Sequence, residues 1–169
     1  MYTICIMTAS RTGARIFESV GPGPDLTLVD RIAHPEGRLS DKNIDTDRQG
    51  VVRSSADTSR QHIYDASQDA ADHMADVFAK RLATHLDLKR ARHEFEKLVL
   101  VAEPRFLGKV RAALSKETAA HVHMTIAKDM HLLSERELKE KLGDLGGLWT
   151  DVHRLDRTIP SNISGGRSR

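Results

Sequence analysis

Acidic side chains fall at three places from which they could share one site. Asp41, Asp45 and Asp47 lie in the polar stretch DKNIDTDRQGVVRSS, Glu103 follows the apolar run KLVLVA, and Asp129 follows a second run, HVHMTIA. Several carboxylates brought together can hold two divalent ions and activate water against a phosphodiester, as in metal-dependent nucleases. That chemistry also asks for an acid on the first strand, where Thr8 and Ser10 stand instead. His121 and His123 are two apart in an extended segment, so both point to one face and could share a metal. No third ligand has suitable spacing, and the expectation is no metal and no cofactor. Walker-type, dinucleotide and GxSxG patterns are absent, and nothing pairs Cys5 with a base. Cys5 sits inside an apolar run and reads as a small buried hydrophobe.

These residues must be positioned by an ordered alternation of elements. Tyr2–Thr8, Ala14–Val20 and Leu26–Ala33 read as strands joined by short breaks, SRTG and GPGP, which makes an antiparallel meander. A polar segment, His34–Tyr64, follows. A helix is then expected from near Asp65, where Asp65 and Gln68 resemble a capping box. Met74, Phe78, Leu82 and Leu86, with Val77 beside them, mark its buried face. KLVLVA, Lys97–Ala102, has the continuous apolar character of a central parallel strand. Pro104 opens a helix to about Leu114, Ser115 caps a short one, and His121–Ala127 is the fifth strand. Ser134-x-x-Glu137 is a second capping box, opening a helix that ends near Gly143. Lys89, Arg90, Arg92 and His93 read as a solvated basic helix end, favoured by the dipole.

The fold class expected is α/β. A mixed five-stranded sheet has strands 1-2-3 antiparallel and 1-4-5 parallel, with helices on both faces, a topology like that of ribonuclease H. Residues 1–143 form one domain with a long loop at 34–64, and residues 144–169, with Trp149, form an irregular extension. In such a sheet the first turn and the ends of strands 3, 4 and 5 emerge at one edge, where open α/β sheets bind ligands. Ser10, Arg11, Glu103, Pro104, Arg105, Lys128 and Asp129 would meet there, together with the loop residues Asp41, Asp45, Thr46, Asp47, Arg48, Gln49, Gly50 and Arg53.

Bulk properties narrow the partners. The 169 residues are 39% hydrophobic and 30% charged, with 26 basic and 24 acidic side chains. A net charge of +2 supplies no bulk counterion-release drive toward nucleic acid, so any such contact must be local. The lone cysteine fits a reducing compartment. MYTICIMTAS is too short to span a bilayer and carries no basic n-region, so a cytoplasmic location and no membrane contact are expected.

DKNIDTDRQG, KLVLVAEPRFLGKVRAAL and KDMHLLSERELKEKL resemble the bacterial host-attachment family, proteins required for attachment to host cells. The resemblance runs in order from about Met1 to Leu142. That family is similar in fold to the middle domain of eukaryotic and archaeal class-one release factors and of the related ribosome rescue factor. It therefore implies a connection to translation, with the ribosome, ribosomal RNA or tRNA as partner. In those factors a Gly-Gly-Gln tip occupies the loop after the third strand. Here that loop has Asp47–Gly50, DRQG, with one glycine beside Gln49, and Ser10 replaces a family-typical acid. The expected function is a non-catalytic binding module acting through residues 34–64. The alternatives are a direct or indirect host-attachment factor and, third, a metal-dependent hydrolase.

Overall fold

The computed structural model describes residues 3–20, 25–37 and 57–144, with the side chains of the long helix described from residue 65. Three strands open the chain: β1 (Thr3–Ser10), β2 (Gly13–Val20) and β3 (Thr27–Ala33). A helix α1 (Asp57–Ala91) leads to β4 (Lys97–Ala102), then to α2 (Pro104–Ala113) and a short α3 (Lys116–Ala119). β5 (Val122–Ala127) and α4 (Glu135–Asp144) follow. The sheet order is β3-β2-β1-β4-β5; β1 pairs antiparallel with β2 and parallel with β4. The mixed sheet expected from the strand pattern is present in full.

β1 is central, and its alternation feeds two cores. Cys5, Met7 and Ala9 join Phe78, Leu82, Leu86, Phe106 and Val110 on one face. Ile4 and Ile6 join Phe17, Val99, Val101, Leu138 and Leu142 on the other. Because strand side chains alternate, a central strand covered on both sides must be apolar throughout, which is why TICIMTA carries so little polarity.

α1 begins at Asp57, eight residues before the expected start, so the segment after β3 is shorter than 34–64. The residues Asp57–Tyr64 contain neither Gly nor Pro, and nothing in them ends a helix, so the Asp65 pair is internal rather than a cap. At 35 residues α1 is about 50 Å long. Its buried face is Ala71, Ala75, Phe78, Ala79, Leu82, Ala83 and Leu86, with alanines letting the helix lie close to the sheet. Val77 departs from the expectation and is 52% exposed, because one residue from Phe78 is about 100° around the axis.

The basic end of α1 also differs from a merely solvated terminus. His93 adopts φ 57°, and His93 N–H and Glu94 N–H donate to the Arg90 and Lys89 carbonyls, closing a Schellman-type stop. Lys89 pairs with Glu18 at 3.4 Å and with Glu94, and Arg90 Nε donates to Thr118 Oγ1 at 3.0 Å. Among the described residues no helix is long and apolar enough to cross a membrane.

Candidate functional site

The carboxyl ends of β1 and β4 lie side by side, because the strands are parallel with Ala9 opposite Ala102. Between them and the segment after β5 is an open cleft of about 420 Å³, lined by Ser10, Arg11, Thr12, Glu103, Asp129, His131 and Leu132. The edge inferred from strand direction is thus a real concavity.

Its walls are held by local hydrogen bonds. The β1–β2 turn is tight, with Ser10 opposite Gly13, and Ser10 Oγ bonds both Thr12 Oγ1 at 2.9 Å and Thr12 N–H at 3.2 Å. The exit of β3 clamps that turn. His34 N–H donates to the Thr12 carbonyl at 3.1 Å, and His34 Nδ1 lies 2.5 Å from the Arg11 carbonyl oxygen. Gly37 is needed here, since a Cβ would come within 2.1 Å of that same oxygen. Gly37 therefore lies directly against the β1–β2 turn, whose Arg11 lines the cleft.

Glu103 is engaged as the N-cap of α2, its carboxylate accepting from Phe106 N–H at 2.8 Å and Arg105 N–H at 3.2 Å. Pro104 occupies the first turn, where its missing N–H is harmless. Asp129 Oδ1 accepts from His131 N–H at 3.0 Å and shapes the turn after β5. These carboxylates are structural first. Among the described residues no three His, Cys, Asp or Glu side chains gather to hold a metal. His121 precedes β5, with Nδ1 2.9 Å from the Glu96 carbonyl oxygen and its ring edge-on to Phe95. Burial pushes the Cys5 thiol up to about 12, which removes it as a nucleophile near neutral pH.

A family model for proteins required for attachment to host cells matches residues 5–142. The chain belongs to that family. This host-attachment family member matches no curated protein. Among solved structures it is similar to the crystal structure of an archaeal translation termination factor, aRF1. The TM-score is 0.42 at 9% identity, over 93% of this chain and 42% of that one. A second, described as an archaeal protein, gives 0.41 at 8% identity over 93% and 41%. The host-attachment chain thus spans less than half the length of either, and at these scores the likeness speaks for neither activity nor partner.

Of the residues expected at the site, the fold brings Ser10, Arg11, Glu103 and Asp129 to the cleft. Pro104 and Lys128 are exposed beside it. Arg105 turns away onto α1, where its Nη2 lies 2.9 Å from Asp72 Oδ1, beside Lys109, which reaches Asp72 at 3.0 Å and Asp76 at 2.6 Å. The hydrogen bond from Lys109 holds the Asp72 carboxyl below its ordinary range. Asp41, Asp45, Thr46, Asp47, Arg48, Gln49, Gly50 and Arg53 lie outside the described residues, as does Trp149. Thr12, His131 and Leu132 complete the lining without having been singled out in the sequence. Their signal was adjacency alone, to Arg11 in one case and to Asp129 in the others.

Proposed function

We propose that this host-attachment family member is a non-catalytic binding module that acts on the ribosome or on RNA, through the segment within 34–64 and the sheet edge beside it. The observation that carries this reading is the clamp of His34 and Gly37, at the start of that range, on the β1–β2 turn whose Arg11 and Thr12 line the open cleft. Arg48 and Arg53 would meet phosphate, and Asp45 and Asp47 would order the segment through Asx-type turns. Lys128 and Arg11 would extend the contact along the edge. The hydrogen bonding of Glu103 and Asp129 within the fold supports a positioning role for both rather than acid–base work.

The family description favours a second reading, a role in attachment to host cells, direct or through an effect on gene expression. The two meet if ribosome binding alters the physiology on which attachment depends. Co-sedimentation with 70S ribosomes at low salt, where phosphate contacts are strongest, tests the first reading. Saturable pelleting by the native chain, lost in Arg48→Ala/Arg53→Ala, is the expected result. Absence of pelleting would overturn it and leave attachment as the reading to pursue.

A further inference from the structure

A second cleft, of about 350 Å³, opens on the α4 side of the sheet and shares Thr12, His131 and Leu132 with the first. Strand register sets its floor. Thr8 of β1 stands opposite Arg15 of β2, which stands opposite Arg31 of β3. Directly paired residues share a face, so two guanidinium groups face the same side on adjacent strands, an arrangement that like-charge repulsion disfavours.

Arg15 is only 9% exposed. Its contacts are with neutral groups: Nη2 donates to the Met130 carbonyl at 3.3 Å, and the guanidinium carbon lies 5.3 Å from the Phe17 ring centroid. Arg15 Nε has no hydrogen-bond partner, nor does the hydroxyl of Thr8, its neighbour in the row. The carboxylate nearest in sequence to Arg31, Asp30, faces the opposite side and pairs with His85 at 2.8 Å. Among the described residues neither Arg15 nor Arg31 forms an ion pair, and Glu135 in the first turn of α4 is the acid whose field reaches Arg15. Gly13 keeps the wall thin, since a Cβ there would meet His131 Nε2 at 3.3 Å.

We propose that this cleft binds a tetrahedral oxyanion of the phosphate class between Arg15 and Arg31, with Thr12 and His131 at its rim. The fork of donors on guanidinium matches such an anion. Two negative charges, on one phosphate dianion or on two successive backbone phosphodiesters, balance both guanidinium groups, where a single carboxylate would leave one unmatched. The site stands independently of the ribosome reading, because it uses no residue of the 34–64 segment. The phosphate group can come from an RNA backbone or from free phosphate or a phosphomonoester.

Isothermal titration of the full chain at low ionic strength separates these sources, with inorganic phosphate in one arm and a short oligouridylate lacking terminal phosphates in the other. Saturable binding in at least one arm is expected, weakened ~10-fold or more in Arg31→Gln. Arg31 is exposed on an edge strand, so its variant should keep the native melting temperature without ligand. Arg15→Gln should lose binding too; if it does not fold, the Arg31→Gln comparison decides. Binding of oligouridylate alone assigns the site to a phosphodiester, and binding of phosphate alone assigns it to the free anion. No saturable binding in either arm, or equal affinity in Arg31→Gln, overturns the proposal.

Discussion

The His34 imidazole lies flat on the Phe78 ring, centroids 4.3 Å apart and planes within 3°. His34 directly follows β3 and Phe78 is on the buried face of α1, so the contact joins described residues on either side of the segment 38–56. Phe78 in turn stacks against Phe106 of α2 at 5.9 Å. The segment that follows β3, α1 and α2 are therefore linked through one aromatic column. Its polar end is the His34 contact with the Arg11 carbonyl.

Replacing His34 by Ala removes both a buried polar contact and a ring stack, with an expected loss of about 2–4 kcal/mol. For a chain of this size that corresponds to a fall in melting temperature of roughly 4–16 °C. His34→Phe retains the stack and loses only the contact with Arg11, so it should fall between. Differential scanning calorimetry of the three proteins checks the order. Equal melting of Ala and native chains would show that the column contributes nothing.

The Lys109 pair gives a pH signature. The hydrogen bond that Lys109 donates depresses the Asp72 pKa, and its bonds to the Asp76 and Asp72 carboxylates raise that of Lys109. A depressed carboxyl stabilises fully above its unfolded value, about 3.9, and loses that contribution as pH falls through the lower folded value. A raised amine stabilises fully below its unfolded value, about 10.4, and loses it as pH rises through the folded value. Lys109→Met should therefore cost about 1 kcal/mol or less, given the exposure of these side chains, across the whole middle range. Urea unfolding at a series of pH values should show the gap between the two proteins closing at both extremes. A gap that persists unchanged at acid pH would place the effect of the substitution in packing instead.

Glu103 separates a structural from a binding role. As the α2 cap its replacement by Ala should cost about 1 kcal/mol, whereas Glu103→Asp, able to accept at the same amides, should cost less. If capping is its whole contribution, both variants behave as the native chain does in ribosome co-sedimentation, whatever that behaviour is. Loss of pelleting by a folded Glu103→Ala protein would instead make the carboxylate part of the contact surface.

Much of the fold was legible because it rests on local signals. Lys97–Ala102 was read to the residue, since a continuous apolar run bounded by charge has one good explanation. The Ser134–Glu137 box and the Ser115 cap are present as expected, because capping is completed within four residues. The start of α1 was misplaced because Asp57–Gln68 is polar apart from Ile63, Tyr64 and Ala66, so no apolar period announces those turns. Arg105 was assigned to the edge by position in the chain. Its partner Asp72 lies 33 residues away, and only packing of α2 on α1 brings the two together.

By itself the sequence determined the sheet, its strand directions and hence the edge at which Ser10, Arg11, Glu103 and Asp129 converge. Alternation, turn residues and the handedness of crossovers are all short-range constraints, and together they leave few topologies. Tertiary structure alone decided which of those side chains are engaged in holding the fold. It also placed Arg15 and Arg31 opposite each other in a cleft that His131 helps to line. Those relations depend on register between strands and on a segment folding back across the sheet, where one residue's slip would send every side chain to the other face.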